Sequence, residues 1–175
     1  MKPLSLKARA IALLAQREHS RSELQRKLLR IARQQDEKAH QARREAEGDV
    51  LEFESDAESG EVSAASEVDA LLDWLQANRY LSEARFVESR INARAQRYGN
   101  LRIRQELSQH GLAADAASQQ ALKDSEFERA RQVWQRKFGE IAADPAARAK
   151  QMRFLAGRGF SPEVIRKVVQ GTEAD

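Results

Sequence analysis

Arg85, Arg90, Arg94, Arg97, Arg102 and Arg104 fall within twenty residues, and Arg129, Arg131, Arg136, Lys137, Arg148, Lys150, Arg153 and Arg158 crowd the C-terminal third. Taken singly, such side chains are solvated surface charges worth about 0–1 kcal/mol in an ion pair. Gathered on one face they make a multivalent site for phosphate or carboxylate, because the planar guanidinium offers paired donors to either group. The residues expected to carry such a site are Arg85, Arg90, Arg94, Arg97, Arg102, Arg104, Arg131, Lys137, Lys150, Arg153 and Arg158. Their convergence is a question for tertiary structure.

Other chemistries find no footing. His19, His40 and His110 are far apart and lack the i, i+4 spacing of a helical metal pair. No G-x-S-x-G elbow, glycine-rich phosphate loop or H-E-x-x-H occurs. The pattern reads as a binding protein, with no catalytic group, metal or cofactor expected. Trp74 and Trp134 lie on or beside apolar helix stripes, which favours core packing over base stacking.

Composition narrows the architecture. With 33% charged and only 6% aromatic residues among 175, several small cores suit the chain better than one thick one. The first 33 residues hold 9 basic and 2 acidic side chains, residues 34–67 hold 3 and 11, and the remainder 18 and 14. The modest net charge of +3 therefore hides a basic body with an acidic segment set into it. No run of about 18 apolar residues is present to cross a bilayer. The basic start (Lys2, Lys7, Arg9) is followed by Arg17, Glu18 and His19 rather than by a signal-type segment. A cytoplasmic location without a membrane partner is expected, and the absence of cysteine agrees with a reducing compartment.

The elements that must position the arginines follow from caps and periodicity. Leu24, Leu28 and Ala32 align with Ile103, Leu107 and Gly111 and with Gln151, Leu155 and Gly159, each triplet lying on one helical face. The first two triplets start 79 residues apart and the last two 48, so the first repeat carries 31 extra residues. Ser20 with Glu23 and Ser125 with Glu128 read as capping boxes. Ser82 reads as a cap, and Asp144–Pro145 and Ser161–Pro162 as a cap followed by proline at the first helical position. Val68, Leu71, Leu72 and Leu75 form an amphipathic stripe. Gly99 is expected to end one helix, and Gly111 to end the next in the left-handed conformation.

Nine helices in three groups of three result, with no period-two alternation of a strand. The expected fold is all-α: an elongated, curved array of three tandem three-helix repeats with no sheet. Residues 1–81 form repeat 1 with an acidic insertion at about 34–67, residues 82–124 repeat 2, residues 125–171 repeat 3, and residues 172–175 a tail. Because Ala32 stands where the other repeats have glycine, its helix is expected to run on to about Glu47. Gly48 to Ser66 is expected to be a mobile loop, too acidic and small to offset its ordering entropy. Repeats of this size bury little alone, so neighbours stack.

Four blocks in order make the chain resemble the RecX family: Arg17-Glu-His-Ser-Arg-Ser-Glu-Leu24, Leu81-Ser-Glu-Ala-Arg-Phe86, Tyr98-Gly-Asn-Leu-Arg-Ile-Arg-Gln-Glu-Leu107 with Gly111, and Arg153-Phe-Leu-Ala-Gly-Arg-Gly-Phe160. The resemblance covers nearly everything but the insertion. It implies tandem three-helix repeats, no enzymatic activity, and a monomer that binds the RecA recombinase filament on single-stranded DNA. On the same resemblance it restrains ATPase, strand-exchange and coprotease activities, touching DNA itself weakly or indirectly. Asn100 stands where the family commonly has proline, which implies a mild loss of loop rigidity. A basic helical DNA-binding module and a generic adaptor for an acidic protein remain open as other readings of the same charges.

Overall fold

Eight α-helices, and no strand, make up residues 4–47 and 56–171, the residues described by the computed structural model. They are α1 (Leu6–Gln16), α2 (Arg21–Glu47), α3 (Asp56–Ala77), α4 (Glu83–Ala95), α5 (Asn100–Ser108), α6 (Ala116–Lys137), α7 (Pro145–Gly157) and α8 (Pro162–Gln170). Most begin on a side-chain oxygen that takes an otherwise orphaned amide. Ser5 Oγ accepts from the Ala8 N–H at 3.2 Å, Ser20 Oγ from Glu23 at 3.1 Å, Ser82 Oγ from Arg85 at 3.3 Å, and Asp144 from Ala147 at 2.8 Å. α2 reaches Glu47, as the missing glycine at position 32 implied.

Three expectations are corrected. Nine helices become eight because a sixth helix expected over residues 113–123 and the next, expected from Ser125, are one: Ser125 does not cap a helix but sits inside α6, its Oγ donating back to the Ala121 carbonyl at 2.7 Å. The true start is Asp115, whose carboxylate accepts from the Ser118 N–H at 2.7 Å. No glycine or proline interrupts residues 116–137, so a serine that satisfies itself against its own helix cannot break it. The repeat pattern survives with α6 shared between the second repeat and the third.

The acidic loop is the second correction. α3 is already helical from Asp56, which removes residues 56–66 from the loop, while residues 48–55 lie outside the described residues. Ala57, Glu58, Glu61, Ala64 and Ala65 are good helix formers, and extending a packed helix costs no new nucleus. Third, Gly99 does not end α4, which stops at Ala95; it precedes α5 as its N-cap, with φ −80°.

Two compact units divide at Phe86 and Val87, within α4. In the first, Leu24 and Leu28 of α2 pack with Val68, Leu72 and Leu75 of α3, with Ala10 of α1 and with Leu81; Trp74 is partly buried against them. In the second, Ala130, Val133 and Trp134 of α6 meet Leu155 of α7, Phe160, and Ile165, Val168 and Val169 of α8. Both tryptophans therefore belong to cores.

At the start of α2 the Glu23 carboxylate takes a hydrogen-bonded ion pair from Arg17, lies 3.2 Å from the buried His19 Nδ1 and 3.5 Å from Lys27 Nζ. Burial alone would raise its pKa, but the Arg17 hydrogen bond and the charges of His19, Arg17 and Lys27 outweigh it and hold the group at about 2. Burial, aided by Arg17 and Lys27 and opposed by Glu23, lowers His19 below its ordinary 6.5. The fold thus prefers ionised Glu23 and neutral His19, and unfolding takes up protons at both. Their stabilisation is complete above 6.5, begins to fall as His19 becomes protonated, and falls again from 4.5 towards 2 as Glu23 does. Melting temperatures of the intact protein should decline across that acid range. Glu23→Gln should melt lower at neutral pH and lose less on acidification below 4.5, the two curves converging near pH 2.

Candidate anion-binding site

In the second unit the loop before α5 and the loop before α8 lie backbone to backbone. The Gly99 N–H donates to the Arg158 carbonyl at 2.9 Å and the Leu101 N–H to Gly159 at 3.0 Å. A Cβ at position 99 would stand 2.2 Å from the Gly159 oxygen and the Phe160 nitrogen, so glycine is required by the approach itself. Gly159 has φ +80°, and a Cβ there would meet that of Arg102 at 2.5 Å.

A buried carboxylate ties this junction together. Glu126, 4% exposed, lies on the apolar stripe of α6 with Leu122, Ala130 and Val133. Its Oε1 accepts from the Asn100 N–H at 3.0 Å and the Ser161 N–H at 3.2 Å, at the starts of α5 and α8. One anion thereby serves two helix N-termini, where the backbone dipoles favour negative charge. Arg129, three residues on, donates through Nη1 to the carbonyls of Ala95 (3.0 Å) and Tyr98 (2.8 Å), and through Nη2 to Asn100 Oδ1 and the Leu122 carbonyl. Burial lowers its pKa and the Glu126 charge works the other way.

Asn100 is no loosened loop. Its N–H reaches Glu126, its Nδ2 donates to the Leu122 carbonyl at 3.1 Å and its Oδ1 accepts from Arg129. Proline could make none of these bonds, so rigidity supplied by a ring elsewhere is supplied here by three hydrogen bonds.

The junction carries Arg158 to the repeat before it. Around the half-buried Tyr98 ring stand the guanidinium carbons of Arg102 (4.5 Å from the centroid), Arg94 (5.5 Å), Arg97 (5.8 Å) and Arg158 (5.9 Å). Arg158 also lies 4.7 Å from the Phe154 centroid and donates to the Arg97 carbonyl at 3.1 Å. Glu106 takes Arg94 at 2.8 Å and Arg102 at 3.5 Å. Four guanidinium groups surround one ring and Glu106 pairs with two of them, an excess of positive charge that an incoming phosphate or carboxylate would relieve. Arg90, Arg94, Arg102, Gln105, Glu106 and His110 line an adjoining depression of about 430 Å³.

The other expected site residues do not join them. Arg85, in the first unit, pairs with Glu18 at 2.8 Å and holds the carbonyls of Arg79 and Tyr80. Arg104 faces a different groove, with Lys123 and Lys167, because two residues along a helix turn a side chain by about 200°. Arg131 pairs with Glu128 at 3.3 Å, and Lys137, Lys150 and Arg153 are exposed. Sequence reasoning passed over Tyr98 and Glu106 as site members, and over Glu126 and Arg129 as its framework. A carboxylate on the apolar stripe of α6 was the available signal. Placing a helix start at Ser125 hid it, since an acid in a first turn is ordinary. Among the described residues no group of three or more His, Asp or Glu could hold a metal ion.

The model for the third three-helix domain of RecX matches residues 124–169 and that for the second matches 82–120. Regulatory protein RecX of Ralstonia nicotianae is 43% identical over 174 residues, covering 98% of this chain and 91% of that protein. The regulatory protein RecX of Herminiimonas arsenicoxydans is 44% identical, over 97% of this chain and 94% of its own. The chain belongs to the RecX family. A member from Pseudomonas putida is 40% identical over 99% of this chain and 94% of its own. The arginine cluster spans both matched RecX domains, with Arg94, Arg97 and Arg102 in the second and Arg158 in the third. These relatives are named as regulatory proteins, and no helix among the described residues is long and apolar enough to cross a membrane.

Asn100→Pro should therefore destabilise the protein by roughly 1–3 kcal/mol in urea unfolding, because a buried acceptor and a guanidinium lose their partners. Gly99→Ala should cost more, since its methyl meets backbone that cannot swing aside.

Proposed function

We propose that this chain binds the RecA recombinase filament on single-stranded DNA and modulates, chiefly by inhibition, its ATPase, strand-exchange and coprotease activities. It thereby acts in the regulation of DNA repair, homologous recombination and the SOS response. It works by binding rather than catalysis, as a cytoplasmic monomer needing no cofactor, and touches the DNA weakly or through the filament. Membership of the RecX family supports the regulatory role. The observation that carries the binding site is the gathering of Arg94, Arg97, Arg102 and Arg158 on one ring, drawn from two repeats.

Opposite charge steers such a cluster to an acidic or phosphate-bearing surface and raises the association rate. A filament repeats its surface, so tandem repeats, with boundaries at about 82–124 and 125–171, engage neighbouring subunits and modest contacts add through effective concentration. Arg90 extends the cluster. Arg85, Arg104, Arg131, Lys137, Lys150 and Arg153 supply peripheral charge.

Inhibition of RecA-driven ATP hydrolysis should weaken steeply as salt rises, through screening and counterion release. The double variant Arg97→Glu, Arg158→Glu should raise the half-inhibiting concentration by roughly tenfold or more, with helicity by circular dichroism unchanged. Inhibition indifferent to both salt and charge reversal would remove the arginine cluster from the mechanism.

A further inference from the structure

The first unit holds an aromatic site that the arginine cluster leaves unexplained and that lies before the matched domains. Trp74 and Tyr80 stack with centroids 5.6 Å apart and planes 18° from parallel, and Lys7 Nζ sits 3.5 Å from the Trp74 centroid. Trp74 is anchored against the core. Tyr80 is 46% exposed, one of four large hydrophobic side chains that stay exposed among the described residues.

The turn presenting Tyr80 is held in an unusual backbone. Arg79 has φ +61°, the one positive φ at a non-glycine position among the described residues. Left-handed backbone is costly for a residue with a Cβ, and such strain concentrates at functional positions. The turn is pinned from both sides: the N–H groups of Tyr80 and Leu81 both donate to the Leu75 carbonyl, at 2.9 and 3.1 Å, and Arg85 Nη2 donates to the carbonyls of Arg79 and Tyr80, each at 3.1 Å. Glycine would relax this turn, yet the position holds an exposed arginine whose side chain has no hydrogen bond or ion pair among the described residues.

We propose that Tyr80 is a stacking platform for an unpaired base of a single-stranded polynucleotide, with Lys7 and Arg79 meeting the adjoining phosphates. The nearby carboxylates are already committed, Asp73 to Arg21 and Glu18 to Arg85, each at 2.8 Å. An acidic peptide would satisfy the cations and leave the ring unused, whereas an apolar peptide would cover the ring and confront two cations. A base with its phosphate uses both, and because every base has a flat face the contact is tolerant of sequence.

The test needs no recombinase, so it stands apart from the filament reading. Binding of the intact protein to a labelled thymidine strand of about 15 nucleotides is compared, by fluorescence anisotropy at low salt, with binding to an abasic deoxyribose-phosphate strand of equal length. The wild type should prefer the base-bearing strand by roughly five- to a hundredfold. Tyr80→Phe should keep the preference. Tyr80→Ala, and Tyr80→Leu as a variant that keeps apolar cover on Trp74, should abolish it without altering the salt dependence. Arg79→Gly should melt higher yet bind both strands more weakly, with the salt slope reduced by about one. Equal affinity of the wild type for both strands, or a preference that survives in well-folded Tyr80→Leu, would overturn the platform. An Arg79→Gly variant that gains stability without losing affinity would overturn the phosphate contact.

Discussion

A single carboxylate placed where an apolar side chain belongs governs the second unit. Glu126 is surrounded by the stripe that α6 turns inward, and burying an unpaired anion there would be prohibitive. Two backbone amides from two different loops satisfy it, and neither loop can move without leaving that charge exposed to a low dielectric. The penalty for breaking the arrangement, more than any attraction it contributes, is what sets the loops in register. Arg129 extends the same logic to four acceptors, three between the end of α4 and the start of α5 and one on α6.

The arginine cluster depends on that register. Guanidinium groups repel one another, so nothing in their own interactions would collect four of them about one tyrosine. They are collected because the backbones carrying them are locked by other groups: two glycines that permit contact, an asparagine that bonds three ways, the buried carboxylate of Glu126 and the guanidinium of Arg129. Stability invested in the interior is expressed as an unbalanced charge on the exterior. Glu106 pairs with Arg94 and Arg102 alone, where a complete set of acids would have removed the repulsion and the excess of positive charge together.

Errors in the sequence reading have a shared cause. Ser125 has the residue type and the glutamate spacing of a cap, and only the carbonyl of Ala121, one turn earlier in the same helix, decides that it is interior. The acidic stretch from Asp56 is poor in apolar residues and reads as a loop on composition; attached to the packed end of α3 it needs only propagation. In both places local composition was read as if the segment stood alone. The repeats, the caps at Ser20, Ser82 and Asp144 and the core positions Leu24, Leu28, Ile103, Leu107 and Leu155 were legible because each rests on contacts within one or two helical turns.

The sequence by itself determined the all-helical class, the tandem repeats, the family and the wealth of arginine, since periodicity, capping and motif order are properties of the chain taken in line. Tertiary structure alone decided which arginines meet. Arg102 and Arg104 are neighbours in sequence and face different ways, while Arg97 and Arg158 are far apart and touch, because side-chain direction turns by about 100° per helical residue and loop register is set by buried partners that no local pattern specifies.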